Sequence, residues 1–381
     1  MAVPFFRLDV SDAERAAVDR ILQSGWLTTG GETKHFEKEF ADYIGGDVEA
    51  IAVNSNTAGM HLALEAMGIT SGDEVIVPSL TFTATAEVVR YLGADPAFVD
   101  VDPETRCIDP DLVEAAITEK TKAIIPVHFG GLAADISRLS AIADRYGLQV
   151  LEDAAHSFPT THHGKIVGSL NTSATVFSFY ANKTITTGEG GMIVTRDREL
   201  AARCRVMRLH GMDRDAFARF TGTSSQWRYD VIAPGFKYNL TDIAAAIGRE
   251  QLKNAENKRA KRQAIAERYI KALSELPIEL PPTSGDDVHS WHLFPIRVLA
   301  EAQTGRDELA EHLSSSDIGY SVHYWPLHRM TYWQSCYNLD DARFPVSSRH
   351  GDTSISLPIF DDMRDAEITN VINAVRSFFT R

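Results

Sequence analysis

The stretch Ala174-Thr-Val-Phe-Ser178-Phe-Tyr-Ala-Asn-Lys183-Thr-Ile-Thr-Thr-Gly188-Glu-Gly190-Gly191-Met-Ile-Val-Thr195 decides the fold. An apolar run, Ala174 to Phe179, reads as a buried strand, and a second run, Met192 to Thr195, follows a glycine-rich turn. Between them stands one lysine. Val176, Phe177, Phe179 and Tyr180 on one side and Ile185 and Met192 on the other would take the Lys183 amine out of water, lowering its pKa and freeing its lone pair. Capture of a carbonyl as a Schiff base is the functional reading. The plain alternative is a rim lysine whose stem packs while its head stays wet.

Working outward, similar apolar runs recur at Ala50 to Val53, Glu74 to Val77, Pro96 to Val99, Ala123 to Val127 and Gln149 to Leu151. Helix-like segments alternate with them at Thr57 to Met67, Ala84 to Leu92, Pro110 to Ile117 and Asp135 to Tyr146, each opening near an Asn, Ser, Thr, Asp or Pro start signal. This alternation predicts an α/β fold with a mostly parallel sheet covered by helices on both faces. Residues 1–250 read as one large domain. A charged helix from Asp242 through Leu273 leads into residues 251–381, a smaller C-terminal α+β domain. There Pro281-Pro282 marks a connection, strands are expected at Trp291 to Leu299 and Tyr320 to Tyr324, and helices at Arg306 to Leu313 and Asp365 to Phe379.

Composition sets limits. The chain has 381 residues, 44% hydrophobic and 24% charged, the proportions of an ordinary globular protein. A formal net charge of -14 argues against a nucleic-acid partner, because phosphate backbones are bound by basic surfaces. Cys107, Cys204 and Cys336 show no short metal-type spacing and fit reduced thiols in a cytoplasmic setting. An acid arrives at Asp9, too early for a secretory signal, and no run reaches the ~18 apolar residues of a spanning helix, so no membrane association is expected. His162-His163 suggests no metal, since adjacent histidines do not share a face of a regular element.

Three further strand ends carry chemistry. Asn54-Ser-Asn-Thr57-Ala58-Gly59 joins a strand to a helix, where free N–H groups and the helix dipole can hold a phosphate; ordinary N-capping is the competing reading. Neither GxGxxG nor GxxxxGK[ST] occurs, so dinucleotide and Walker-type nucleotide sites lack their usual support. Phe82 follows the strand Glu74 to Val77 and could stack on an aromatic ring, or simply fill the core. Asp153, in Leu148-Gln-Val-Leu-Glu-Asp153-Ala-Ala-His156, ends a buried strand where ligands of open α/β sheets sit, with His156 three residues on; capping is again the alternative. A phosphate cradle, an aromatic stacker, an acid and a desolvated lysine match one cofactor, pyridoxal 5'-phosphate. Its pyridine nitrogen must stay protonated, and a carboxylate nearby favours that state.

The motifs Asn54-Ser-Asn-Thr57, Glu152-Asp-Ala-Ala-His156, Ser178-Phe-Tyr-Ala-Asn-Lys183 with Thr187-Gly-Glu-Gly-Gly191, and Tyr238-Asn-Leu-Thr-Asp242 resemble those of the DegT/StrS nucleotide-sugar aminotransferases over nearly the whole chain. The stretches Ser24 to Gly30, His210 to Phe217 and Ser290 to Phe294 are similar to members acting on UDP-linked 4-keto sugars, including the 4-amino-4-deoxy-arabinose branch. Phe158-Pro159-Thr160 and His162-His163 depart from the family pattern. The resemblance implies a fold-type I pyridoxal phosphate transferase that moves an amino group from glutamate to a keto sugar, with pyridoxamine phosphate as the intermediate form. It implies that Lys183 binds the cofactor aldehyde and shuttles the proton, Asp153 pairs with the ring nitrogen, His156 meets the ring hydroxyl and Phe82 covers one face. Thr57, Ala58 and Ser178 would hold the phosphate, together with Asn239 from the partner of a homodimer with shared active sites. Trp26, Leu27, Thr28, Asn56, His323, Tyr324, Trp325, Pro326 and His328 match the sugar-nucleotide pocket. A 3-keto sugar or cyclitol aminotransferase would share this core. A pyridoxamine-dependent sugar dehydratase would carry histidine in place of Lys183, and a non-catalytic sensor would need an appended DNA-binding segment not seen in this acidic chain.

Overall fold

The computed structural model describes residues 2–45, 47–213 and 229–380. Its main sheet is built from β1 (Glu49–Val53), β2 (Glu74–Pro78), β3 (Asp95–Val99), β4 (Thr121–Ile124) and β5 (Gln149–Ala154). After a short hairpin, β6 (Thr161–His162) and β7 (Lys165–Ile166), it is completed by β8 (Ala174–Ser178) and β9 (Gly191–Thr195). The spatial order is β1-β9-β8-β5-β4-β2-β3. From β8 to β3 every neighbouring pair is parallel, whereas β9 runs antiparallel to both β1 and β8. The loop of residues 179–190 carries the chain from β8 back into the antiparallel β9, whereas β2 and β3, and β4 and β5, are joined across the helices Ala84–Tyr91 and Ile136–Tyr146, and β5 and β8 through the segment that holds the β6–β7 hairpin.

Both faces of the sheet are covered, which is why its strands are apolar at nearly every position. Along β1, Ile51 and Val53 enter one hydrophobic cluster with Met60, Leu62 and Leu64 of the helix Asn56–Ala66, while Ala50 and Ala52 enter the other. That second cluster contains an aromatic knot. Phe40, fully buried, lies 5.0 to 6.2 Å ring to ring from Phe36, Phe158, Phe177 and Phe179. Phe158, part of the stretch that departs from the family pattern, thus belongs to the core.

The C-terminal part has its own three-stranded antiparallel sheet, β10 (Ile278–Glu279), β11 (Phe294–Val298) and β12 (Ser354–Leu357), in that order. Its core joins Tyr269, Trp291, Phe294, Ile296, Leu357 and Val371, and also Val3 from the N-terminus.

Three expectations are corrected. The long helix is two, Asp242–Lys253 and Ala255–Leu273, because Asn254 leaves helical geometry at φ -105 and ψ 5. Tyr320–Tyr324 contributes only an isolated bridge, Ser321 to Ser356, and the third strand is Ser354–Leu357. The strand expected from Trp291 begins at Phe294, because Trp291 adopts φ +49 and turns the chain.

Candidate active site

The carboxyl ends of β1, β2, β5 and β8 lie along one edge of the sheet, and a cavity of about 480 Å³ opens there. After β1, Ser55 caps the helix Asn56–Ala66 by accepting from the Ala58 N–H at 3.0 Å. The helix N-terminus, with its free N–H groups and positive dipole end, faces the cavity through Ser55, Asn56 and Thr57. The Asn56 amide is itself committed, donating to the Val176 carbonyl at 2.8 Å and fastening helix to strand. Gly191 permits this crossing: a Cβ there would stand 2.7 Å from the Ser55 carbonyl carbon and 2.8 Å from the Asn56 nitrogen.

Lys183 is held by the local weave that the opening stretch encodes. Phe179 N–H donates to Gly190 O at 2.8 Å and Thr187 N–H to Phe179 O at 3.0 Å, closing the loop whose Lys183 N–H donates to Tyr180 O. Its side chain reaches the cavity floor, where burial drives the amine from the usual 10.5 down to about 7 against the raising effect of Asp153. Asp153 shares that cavity. It accepts from the Thr85 hydroxyl at 2.9 Å and the Ala155 N–H at 3.1 Å, yet burial keeps its carboxyl above the ordinary value. Both groups therefore lean toward their neutral forms, the state expected of two ions stripped of water without direct pairing.

His156 accepts from the Gly130 N–H at 3.3 Å through Nδ1 and sits 3.0 Å from the Tyr324 hydroxyl through Nε2. Both ring nitrogens thus already have protein partners, so a cofactor hydroxyl would share Nε2 with Tyr324. Phe82 is 59% exposed and flanks the cavity, 6.1 Å ring to ring from Tyr324. Such exposure sets it apart from a core phenylalanine. Ser178 and His323 complete the part of the wall that sequence reading picked out.

The remaining candidates lie outside this wall. Ala58 is buried, with its N–H committed to the Ser55 hydroxyl. Asn239, bridged to Val53 at the end of β1, donates to the Thr29 hydroxyl at 2.7 Å, and Asp242 N–H donates to Thr28 O at 3.3 Å, so the Trp26–Thr29 segment meets Asn239 in a patch that lines no part of the cavity. Asp242 anchors that patch by capping the helix Gly31–Ile44 through the N–H groups of Gly30, Glu32 and Thr33. Trp325 is 45% exposed beside Arg329, 5.1 Å from its guanidinium. Pro326 and the buried His328 line no part of the cavity, and His328 is instead stacked on Phe344 and bonded to Ser348 at 2.9 Å. Of His210–Phe217, residues 214–217 lie outside the described residues.

Sequence reading missed Ser55, Tyr180, Asn182, Glu189 and His292, all of which line the cavity. All five sit inside stretches quoted above for their family resemblance, His292 in Ser290 to Phe294 of the C-terminal part, without being singled out there. The His292 Nε2 stands 3.2 Å from Lys183 Nζ. The residues present fit pyridoxal phosphate: an amine with a usable lone pair, a buried acid, a helix N-terminus and, at Asn182 Oδ1, a buried acceptor without a partner.

Comparison with known proteins agrees. The profile of the DegT/DnrJ/EryC1/StrS aminotransferase family matches residues 9–376. The spore coat polysaccharide biosynthesis protein SpsC of Bacillus subtilis is 43% identical over 370 residues, 96% of this chain and 94% of that protein. The candidate sugar aminotransferase Spr1654 of Streptococcus pneumoniae, solved in a pyridoxamine phosphate form, superposes with a TM-score of 0.93 at 31% identity, covering 99% of both chains. DesI, solved with its TDP-sugar product, gives 0.88 at 29% identity, covering 100% of this chain and 93% of that one. Fold and site together define a fold-type I pyridoxal phosphate-dependent sugar aminotransferase. The chain belongs to the DegT/DnrJ/EryC1/StrS aminotransferase family.

Proposed function

We propose that this enzyme moves an amino group from glutamate onto the keto carbon of a nucleotide-linked deoxy sugar, a UDP- or dTDP-linked 4-keto sugar, as a homodimer whose subunits share their active sites. The observation that carries the chemistry is the Lys183 amine, lowered to about 7 by burial in the same cavity as Asp153. A relative solved with its TDP-sugar product supports the nucleotide-sugar class.

In this reading Thr57, Ala58 and Ser178 bind the cofactor phosphate, Asp153 pairs with the ring nitrogen, His156 borders the ring hydroxyl and Phe82 covers the open face. Bound there, pyridoxal phosphate supplies an aldehyde that captures amines and a charged ring that withdraws electrons. Burial raises the Asp153 carboxyl, and a pyridinium beside it would act in the opposite sense, favouring the carboxylate that would pair with the ring nitrogen. Lys183 Nζ, unprotonated in a large fraction of molecules near neutral pH, takes the proton from the donor carbon and later returns it. The patch of Trp26, Leu27, Thr28 and Asn239, which lines no part of this chain's own cavity, serves the partner subunit's site.

Incubation of purified enzyme with glutamate and UDP- or dTDP-linked 4-keto and 3-keto sugars, with 2-oxoglutarate as the readout, tests the substrate. Turnover with a 4-keto sugar is expected. Turnover confined to 3-keto sugars or a keto cyclitol would overturn the substrate assignment and leave the class standing.

A further inference from the structure

His292 stands apart from the residues that carry the reading above. The residue is buried, its ring lies between His156, 4.5 Å away ring to ring, and Lys183, and it has no partner at Nδ1. The segment that delivers it is fastened on all sides. Ser290 N–H and Leu293 N–H donate to the Gly131 and Gly130 carbonyls at 3.2 and 3.1 Å, and the Ser290 hydroxyl donates to His156 O at 2.7 Å. Trp291 Nε1 donates to Gln263 at 2.6 Å, and the Arg262 guanidinium donates to Trp291 O at 3.3 Å.

Between these fasteners Trp291 is held at φ +49, a left-handed conformation that a bulky residue adopts only under constraint. Strain of this kind persists where the surroundings over-determine it, and it clusters at working sites. Here its effect is to swing His292 out of the line of β11 and place Nε2 3.2 Å from Lys183 Nζ.

We propose that His292 is a positioning residue for Lys183, its neutral Nε2 accepting a hydrogen from Lys183 Nζ and so aiming the amine's lone pair at the reacting carbon. The inference rests on Lys183 being the reacting amine. A proton-relay role is disfavoured by the surroundings: Lys183, His156, His323 and Arg262 all disfavour an imidazolium at His292, and burial does so most of all. As an acceptor it needs no charge. It would favour the ammonium form of Lys183 enough to offset part of the burial effect, together with Asp153, and it would restrict rotation about the terminal bonds of a flexible side chain.

Three variants separate this from a packing role. In H292Q the amide oxygen falls near the position of Nε2 and keeps the acceptor; H292N is polar but too short to reach Nζ; H292L is apolar. On cofactor-free protein, the pH dependence of Lys183 reductive methylation, followed by mass spectrometry, reports the amine directly. H292L and H292N should move its midpoint down by about one pH unit, the consequence of losing a hydrogen bond to a charged group, while H292Q stays with the wild type. In the loaded enzyme H292L and H292N should lose roughly tenfold or more in kcat with little change in KM, and H292Q should recover most of the rate. If H292L does not fold, H292N against H292Q decides alone. Equal midpoints and equal kcat in H292N and H292Q would overturn the proposal. A wild-type midpoint near that of a free lysine would instead overturn the reading of Lys183 itself.

Discussion

A lysine amine at about 7, against a usual 10.5, has two measurable consequences at the scale of the residue. Chemically, the amine is far more often free to react near neutral pH than an ordinary lysine. Lys183→Ala should therefore abolish turnover and the visible absorbance of the lysine-bound cofactor, to be checked by spectrum and by 2-oxoglutarate release. Energetically, the folded chain holds this proton less well than the unfolded one. Below pH 7 both states carry it and the burial cost is felt in full; between about 7 and 10.5 only the unfolded state binds it, so the cost fades as pH rises. Lys183→Met, which removes that cost, should raise the melting temperature of the cofactor-free protein by a few degrees at pH 7. The gain should shrink by pH 10. Equal melting temperatures at both pH values would show that the amine reaches water.

At the scale of elements, the site depends on how closely β9 and the start of the helix Asn56–Ala66 approach. Gly191 pairs with Val53 in the sheet and leaves no room for a methyl group against Ser55 and Asn56. Gly191→Ala should displace the helix N-terminus by some tenths of an ångström, weaken cofactor binding by roughly tenfold and destabilise the fold by about 1–3 kcal/mol, the usual effect of overpacking. Cofactor titration by absorbance, beside denaturant unfolding, separates the two effects. The aromatic knot is the second element-scale support. Phe40→Ala empties its centre beneath β8, and a loss of about 3–5 kcal/mol is expected in the same unfolding experiment.

At the scale of the whole molecule, two distant parts of the chain converge on one amine. Residues 292–324 of the C-terminal part supply His292, His323 and Tyr324, while Asp153 ends β5 of the large sheet and Lys183 lies in the loop after β8. Asn239, by contrast, donates to Thr29 and lines no part of this cavity. Mixing inactive Lys183→Ala with weakened Asn239→Ala should therefore restore activity, because a mixed dimer rebuilds one site from two intact halves. Activity of the mixture no greater than the sum of its parts, after subunit exchange, would place Asn239 in a purely structural role.

The alternation of apolar runs with capped helices was legible without coordinates because burial on both faces of a parallel sheet demands it, and every strand-end residue named for chemistry near Lys183 follows from that edge. The chain alone thus determined the α/β sheet, the lysine and its acid. Its weaker signals lay where burial is not local: the helix Pro345–Thr353, polar in sequence, is formed by packing its serines and His350 inward, and the helix Asp12–Ser24, capped by Ser11 with Glu14 and closed at Gly25, was not among the elements expected from the sequence. Only the tertiary structure separated Trp26–Thr28 and His328 from the cavity and brought His292 into it. The reason is physical. A strand end fixes where its own side chains point, but contact between residues 109 positions apart, such as Lys183 and His292, depends on how two cores dock and on a backbone twist at Trp291 that no local pattern encodes.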